Sequence, residues 1–114
     1  MTETLLTDQF KSIIKETILQ IENQKTIYLQ DLKHPELELK KPLPVFIEYD
    51  DDYVIANYYD TESFGYGDSE YEAINNLCKE IVQTYSDLEI DQTNLGPLPM
   101  KWWDHFQTII QRKN

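Results

Sequence analysis

The sequence predicts a single α+β domain in which a three-stranded antiparallel sheet packs on one long helix, with additional helices near both termini. Two patterns indicate this architecture. From Val45 to Tyr59, alternate residues are apolar, as in strands with one buried face. From Tyr71 to Leu88, apolar residues recur every three or four positions, as on the buried side of a helix of about five turns. The 114 residues suffice for one core of modest size.

We divide this single domain, residues 1–114, into three parts. Residues 1–42 form an N-terminal helix and an extended arm, residues 43–90 a β-β-β-α core, and residues 91–114 a linker and a C-terminal helix. The first helix is predicted over residues 7–22 by the spacing of its apolar side chains, which are Phe10, Ile13, Ile14, Ile18 and Ile21. It either covers the core of its own chain or reaches a second subunit. The arm contains two short strand-like stretches outside the predicted sheet, residues 26–32 and 34–42.

The predicted sheet begins with a hairpin over residues 44–59. Its connection consists of Asp50, Asp51 and Asp52, and aspartate tolerates the backbone angles of tight turns. A shorter third strand, over residues 63–66, leads into the long helix. The core is therefore predicted as two paired strands, a third strand and a helix in succession.

A glycine-containing turn joins the third strand to the helix. Gly65 and Gly67 allow the backbone to turn sharply or to approach a neighbouring element closely. Ser69 is a favourable N-cap residue, and Glu72 three residues later completes a capping box. Asp68 adds negative charge where the helix dipole favours it. The long helix is therefore predicted to begin directly after Ser69.

A last helix is predicted over residues 99–111, after a polar linker that contains Gly96 and Pro97. One side of this helix carries Trp102, Trp103 and Phe106. A small sheet with one helix cannot obviously bury so large an aromatic surface, and aromatic side chains are enriched at interface hot spots. We therefore expect a homo-oligomer, a dimer or a higher assembly, with these three side chains at the interface.

The charge is strongly negative and unevenly distributed. The formal net charge is -11, and residues 42–100 hold thirteen acidic residues but only one basic residue, Lys79. Such a surface excludes nucleic-acid binding by this chain alone, which needs clustered lysine and arginine. The acidity either serves solubility or forms a docking face that speeds encounter with a basic partner. Candidates for that face are Asp50, Asp51, Asp52, Asp60 and Glu62.

Residues that commonly perform catalysis or bind metals are few and scattered. The single cysteine, Cys78, lies on the apolar stripe of the long helix and is expected in the core. His34 and His105 stand near opposite ends of the chain, each without a partner pattern. We therefore expect no enzymatic activity, no metal site and no cofactor.

The sequence also predicts where in the cell the protein is found. No apolar run approaches membrane-spanning length, and the polar N-terminus lacks the features of a signal peptide. We therefore expect a cytoplasmic protein that does not associate with membranes.

The segment Gly67-Asp68-Ser69-Glu70-Tyr71-Glu72-Ala73 resembles the G-D-[ST]-x-x-E-A signature of HicB-like antitoxins. The resemblance covers residues 43–88 and matches the family's turn and helix start at five positions, Gly67, Asp68, Ser69, Glu72 and Ala73. Members of this family have a three-stranded antiparallel sheet packed on one long helix, a partial ribonuclease-H-like fold. In place of the family's P-D-x-P-G-C segment, this chain has residues 59–64, and its first 40 residues are additional.

The resemblance implies an antitoxin-type protein-binding module that neutralises a small, basic, RNA-cleaving toxin of the HicA type. The last helix is too short for the promoter-binding module that many members carry. One alternative is a stand-alone homo-oligomeric structural or regulatory protein of the same fold without a toxin partner. A more distant alternative is a metal-dependent hydrolase, because a ribonuclease-H-like sheet can present acidic side chains to magnesium.

Overall fold

The structure is a computed structural model that describes residues 24–114. In chain order it contains β1 (Gln24–Leu29), β2 (Leu37–Leu39), β3 (Leu43–Tyr49), β4 (Val54–Tyr58), a 3-10 turn (Tyr59–Thr61), β5 (Ser63–Gly67), α1 (Glu70–Ile90), α2 (Pro97–Ile109) and β6 (Ile110–Arg112). The predicted α+β class is confirmed. The helix predicted over residues 7–22 lies outside the described residues.

The main sheet has four strands rather than the three predicted, in the antiparallel order β1-β3-β4-β5. The additional strand is β1, which places Ile27 opposite Val45 and Leu29 opposite Leu43. It pairs with backbone groups of β3 that would otherwise form an open edge. The sequence predicts this segment only as a strand-like stretch over residues 26–32 and places it outside the sheet, because so short a run does not establish a strand.

A second, two-stranded sheet joins distant parts of the chain. In it β2 pairs antiparallel with β6, so that Leu37 lies opposite Arg112 and Leu39 opposite Ile110. The last helix was predicted to continue to residue 111, but α2 ends at Ile109. It stops there because the following residues become extended and pair with β2. A helical pattern in the local sequence carries no information about a partner strand this far away.

The core lies between one face of the main sheet and the two helices. Helix α1 packs on β4 and β5, whereas α2 packs on α1 and on the 3-10 turn. The strands contribute alternate residues to this core, in agreement with the predicted alternation. Fully buried apolar side chains include Leu43, Val45, Ile47, Ala56, Leu77, Ile81, Phe106 and Ile109.

The two glycines of β5 allow α1 to pack closely on the strand, and neither adopts an unusual backbone conformation. No glycine of the described residues has a positive φ. A Cβ at Gly65 would lie 2.6 Å from the carbonyl oxygen of Ala73, so α1 approaches the strand backbone directly. The three atoms nearest to a Cβ at Gly67 are Cγ, Cβ and Cδ of Glu72, the closest at 2.6 Å. Of the two roles predicted for these glycines, the close approach is correct.

Candidate protein-binding surface

The turn before α1 has the capping geometry that the sequence predicts. The Oγ of Ser69 accepts a hydrogen bond from the backbone N–H of Glu72 at 3.1 Å. In return, Oε2 of Glu72 accepts one from the N–H of Asp68 at 3.3 Å, one residue before the N-cap. Ala73 is fully buried and donates its N–H to the carbonyl oxygen of Ser69 at 3.0 Å. These motif residues fix where the helix begins and how closely it packs.

Glu70, the first residue of α1, links the helix to two strands. Its Oε2 lies 2.8 Å from Nζ of Lys25 in β1 and accepts a hydrogen bond from the hydroxyl of Tyr49 in β3 at 2.6 Å. The bond from Lys25, together with that from Tyr49, lowers the pKa of the Glu70 carboxyl. The same contact with Glu70 raises the pKa of the Lys25 ammonium. The charged carboxylate therefore ties the start of the helix to the sheet.

The main sheet has a second face, here called the open face, which points away from α1. Its side chains are those between the buried positions of each strand, and no described element covers them. Aromatic residues dominate it, with Tyr28 66%, Tyr66 62% and Phe64 56% exposed. The open face consists of Tyr28, Phe46, Glu48, Ile55, Asn57, Phe64 and Tyr66, with Tyr59 beside them at the end of β4. In the register of the sheet, Asn57 lies between Phe46 and Phe64. A sheet face with this many exposed aromatic side chains is typical of a protein-interaction site.

Contacts between these side chains hold the surface in place. The rings of Phe46 and Tyr59 are 5.2 Å apart between centroids, and those of Phe64 and Tyr66 are 6.4 Å apart. The hydroxyl of Tyr59 donates to Oε1 of Glu48 at 3.1 Å, and partial burial together with this bond raises the pKa of the phenol. The aromatic side chains are thus partly ordered before any partner binds, which lowers the entropy cost of binding.

A groove of about 950 Å³ follows β5, where the open face meets the side of α1. One wall is aromatic and includes Tyr53, Phe64 and Tyr66, and the other presents acidic side chains. Nδ2 of Asn76 donates to the carbonyl oxygen of Tyr66 at 2.8 Å, which occupies a backbone acceptor at the sheet edge. The acidic members of the lining are Asp68, Glu72 and Glu80. The groove therefore combines apolar surface with negative charge.

The five acids predicted as a docking face form two separate groups. Asp50, Asp51 and Asp52 form the turn between β3 and β4, as predicted, and the N–H of Asp50 donates to the carbonyl oxygen of Tyr53 at 2.8 Å. Asp60 and Glu62 lie at the opposite end of β4, beyond roughly 17 Å of extended chain. The structure thus places the two groups at opposite ends of the sheet.

Asp60 belongs to a polar cluster that the sequence did not reveal. The buried hydroxyl of Tyr58 lies 2.5 Å from Nε2 of His105 and 3.3 Å from Oδ2 of Asp60. Burial, followed by the charge of Asp60, raises the pKa of the Tyr58 phenol well above its usual range. His105, which is isolated in the sequence, therefore joins α2 to the end of β4. Only the packing of α2 brings these residues together.

The aromatic residues of α2 contact the core of their own chain. Phe106 is fully buried, and the ring of Trp103 lies 5.3 Å from that of Tyr85 in α1. Trp102 and Trp103 are partly buried against the core. Of the three residues expected at an oligomer interface, these two retain exposed surface and Phe106 retains none.

The described residues give no sign of a metal centre or a membrane span. Within residues 24–114, no group of three or more histidine, cysteine or acidic side chains is arranged to hold a metal ion. Neither α1 nor α2 combines the length and the apolar character needed to cross a bilayer. No protein-family model, no curated protein and no solved structure matches this chain.

Proposed function

We propose that this chain is a HicB-like, antitoxin-type protein-binding module that neutralises a small, basic, RNA-cleaving partner. The motif over residues 67–73 suggests the family. The unit β3-β4-β5-α1 supports it, because three antiparallel strands in sequence lead into a capped helix that packs back on β4 and β5. In this proposal the fold is the partial ribonuclease-H-like fold of the family, and β1 is an added edge strand.

The observation that carries the proposal is the open face with its acidic surroundings. Exposed aromatic rings cover one side of the sheet, while carboxylates lie at the β3–β4 turn and along the groove beside β5. A domain that exposes several aromatic side chains on one face of a sheet usually uses that face for an interaction. A module of this kind needs neither a cofactor nor a membrane, and a cytoplasmic location suits an RNA-cleaving partner.

The chemistry of this surface favours a protein partner with positive charge. Arginine and lysine side chains interact favourably with the faces of tyrosine and phenylalanine rings and with carboxylates. The net charge of -11 adds long-range attraction, which raises the rate of encounter with a basic protein. The same charge repels the phosphates of free nucleic acid. The open face is therefore the proposed contact surface for the partner.

The test is capture of the partner from the native host with the tagged full-length chain, followed by mass spectrometry. We expect a small basic protein that degrades RNA when alone and stops doing so when this chain is added. The double variant Phe64→Ser/Tyr66→Ser, altered on the open face, should lose both capture and inhibition. The matched control is Tyr71→Ser/Ile90→Ser, which removes two still more exposed side chains from α1 and should retain both capture and inhibition.

Two results would reject the proposal. One is recovery of no small basic companion from the host. The other is a captured partner whose binding survives the open-face variant and fails with the α1 control. Thermal melting of both variants should show intact folding, because the four side chains are exposed.

A homo-oligomeric structural or regulatory protein is the second candidate, favoured by the same exposed rings and by the partly exposed Trp102 and Trp103. Here a second copy of the chain would cover the aromatic surface. Sedimentation should then show a dimer or larger assembly, and Trp102→Ala or Trp103→Ala should weaken it by about 2 kcal/mol. Leu98→Ala, an exposed change on the same helix, is the control. A monomer at high micromolar concentration would exclude this candidate.

A further inference from the structure

A second cleft, of about 460 Å³, lies on the other side of α1, between this helix and the loop that joins β1 to β2. Its volume falls in the range of small-molecule pockets. The lining comprises Leu32, Lys33, His34, Asn75, Cys78, Lys79, Val82 and Gln83. Two lysines and no carboxylate appear among these described residues, although acids outnumber bases twenty-one to ten in the whole chain. We call this feature the loop cleft.

The backbone fixes the tautomer of His34. Its Nδ1 accepts hydrogen bonds from the N–H groups of Glu36 at 3.0 Å and Leu37 at 3.1 Å. A nitrogen that accepts these bonds carries no proton, so the ring proton resides on Nε2. Nε2, the ring nitrogen that remains available to a ligand, is therefore a hydrogen-bond donor.

A similar constraint applies to Asn75. Its Oδ1 accepts a hydrogen bond from Nζ of Lys33. Because an ammonium group can only donate, the amide oxygen must face Lys33 and the amide NH₂ must point elsewhere. Asn75 thus retains its two donor hydrogens for another acceptor.

The two lysines supply the charge of the loop cleft. Nζ of Lys33 lies 4.5 Å from the centroid of the Tyr71 ring, and its backbone has a positive φ of 57°. The N–H of Lys33 donates to Oδ1 of Asp31 at 2.8 Å. This hydrogen bond orients the loop and engages the Asp31 carboxylate with the backbone. Lys79 forms no ion pair with any other residue of the range 24–114. The lining therefore carries two positive charges, while the nearby carboxylate of Asp31 is bonded to the Lys33 N–H.

The lining of the loop cleft also includes apolar side chains. Leu32 and Cys78 are buried, and Val82 is partly buried beside them. Burial raises the pKa of the Cys78 thiol, so the sulfur remains neutral. Gln83, at one end, already donates its amide to Asp87 at 2.9 Å. The lining of the loop cleft thus combines apolar side chains with hydrogen-bond donors, and both the loop and α1 contribute to each kind.

We propose that the loop cleft binds a small organic anion through a carboxylate or phosphate group. The anionic group would accept hydrogen bonds from His34 Nε2, the Asn75 amide and the ammonium groups of Lys33 and Lys79. The apolar part of the ligand would pack on Leu32 and Val82. This site is separate from the open face and does not depend on the function proposed for that face.

The test is a titration of the ¹⁵N-labelled full-length chain followed by two-dimensional NMR. The probes are phenyl phosphate, benzoate and the neutral benzyl alcohol. We expect saturable shifts at the amides of Lys33, His34, Asn75 and Lys79 with the two anions and none with the alcohol. The anion with the higher affinity identifies the group, phosphate or carboxylate, that the site prefers.

The variant Lys79→Gln should weaken binding about tenfold, because a charge-assisted hydrogen bond is lost. Lys79 is exposed, so its replacement should leave the fold intact. Lys101→Gln makes the same charge change on exposed surface outside the loop cleft and should leave the affinity unchanged. The proposal is overturned if neither anion gives saturable shifts at these amides, or if Lys101→Gln weakens binding as much as Lys79→Gln.

Discussion

A Cβ on Gly65 would lie far inside contact distance of the backbone nitrogen of Leu77, so α1 and β5 meet without a side chain between them. The atoms that block this position belong to the helix backbone and cannot move aside. We therefore predict that Gly65→Ala lowers the free energy of unfolding by about 2–4 kcal/mol, through overpacking and displacement of the helix. Urea denaturation followed by far-UV circular dichroism measures the loss.

Gly96 provides the control, because a Cβ at that position meets no atom within 4 Å. Gly96→Ala should cost under about 1 kcal/mol, which reflects only its position as the N-cap of α2. Equal stability of the Gly65→Ala variant and the parent chain would show that α1 does not pack on the backbone of β5.

The cap of α1 makes a second, smaller contribution. Ser69→Ala removes the acceptor of the Glu72 N–H and should lower the free energy of unfolding by about 1 kcal/mol. Ser86→Ala, inside the same helix, should instead be neutral or slightly stabilising, because alanine has the higher helix propensity. The urea midpoints of both variants are compared with the parent. An unchanged midpoint for Ser69→Ala would show that the helix does not begin at this residue.

Glu70 should give stability a specific dependence on pH. Its pKa in the folded chain is lower than the ordinary value of 4.5, because Lys25 and Tyr49 bind the charged form. The stabilisation is therefore complete above pH 4.5 and is lost as the pH falls through the lower, folded pKa. Urea midpoints measured from about pH 6 to about pH 3 should fall less steeply for Glu70→Gln than for the parent chain.

Glu80→Gln is the matched control for this pH series. Glu80 is an exposed acid of the same helix and forms no ion pair with any other residue between 24 and 114. Its replacement should leave the slope of midpoint against pH as in the parent. Parallel curves for Glu70→Gln and the parent would contradict a role for the Lys25–Glu70 contact in stability.

The acids at the β3–β4 turn should affect the rate of partner binding more than the lifetime of the complex. If the proposed basic partner docks on the open face, replacement of Asp50, Asp51 and Asp52 by lysine should lower the association rate without unfolding the chain. Rising salt should slow association by the parent steeply and change dissociation much less. Surface plasmon resonance with the captured partner measures both rates.

The same triple charge change can be placed elsewhere as a control. Asp87, Asp91 and Asp104 are exposed and lie outside the β3–β4 turn, and their replacement by lysine gives the same net charge. If both triple variants slow association equally, only the net charge matters and the β3–β4 turn is not a docking element. If neither does, electrostatic steering plays no part in binding.

The elements that the sequence predicted are those with local signals. The alternation in β3 and β4, the capping box at Ser69 and the helical period of α1 each depend on residues close in sequence. Two strand-like stretches, residues 26–32 and 34–42, were recognised, but the pairing of β1 with β3 and of β2 with β6 was not, because these partners are distant in sequence. Short segments of this kind carry too few residues to establish a pattern.

The candidate sites likewise divide into those with a local sequence signal and those that exist only in the folded chain. The acidic turn was visible in the sequence, since three consecutive aspartates stand between two strand patterns. The open face was not, because which alternate side chains remain uncovered depends on where the helices pack. The contact of Tyr58 with His105 and the position of His34 beside Lys79 likewise require the folded chain. His105 acquires its partner Tyr58 from another element, whereas Nδ1 of His34 accepts from backbone N–H groups two and three residues away.

The pairing of Leu37–Leu39 with Ile110–Arg112 has a consequence for the order of folding. Bringing these two segments of three residues together closes a loop of about seventy residues. The chain entropy lost in closing it is large compared with the stabilisation that so short a ladder provides. We therefore expect the ladder to form after the main sheet, α1 and α2 have packed together, and to open before them. Hydrogen exchange at its amides would measure how often it opens.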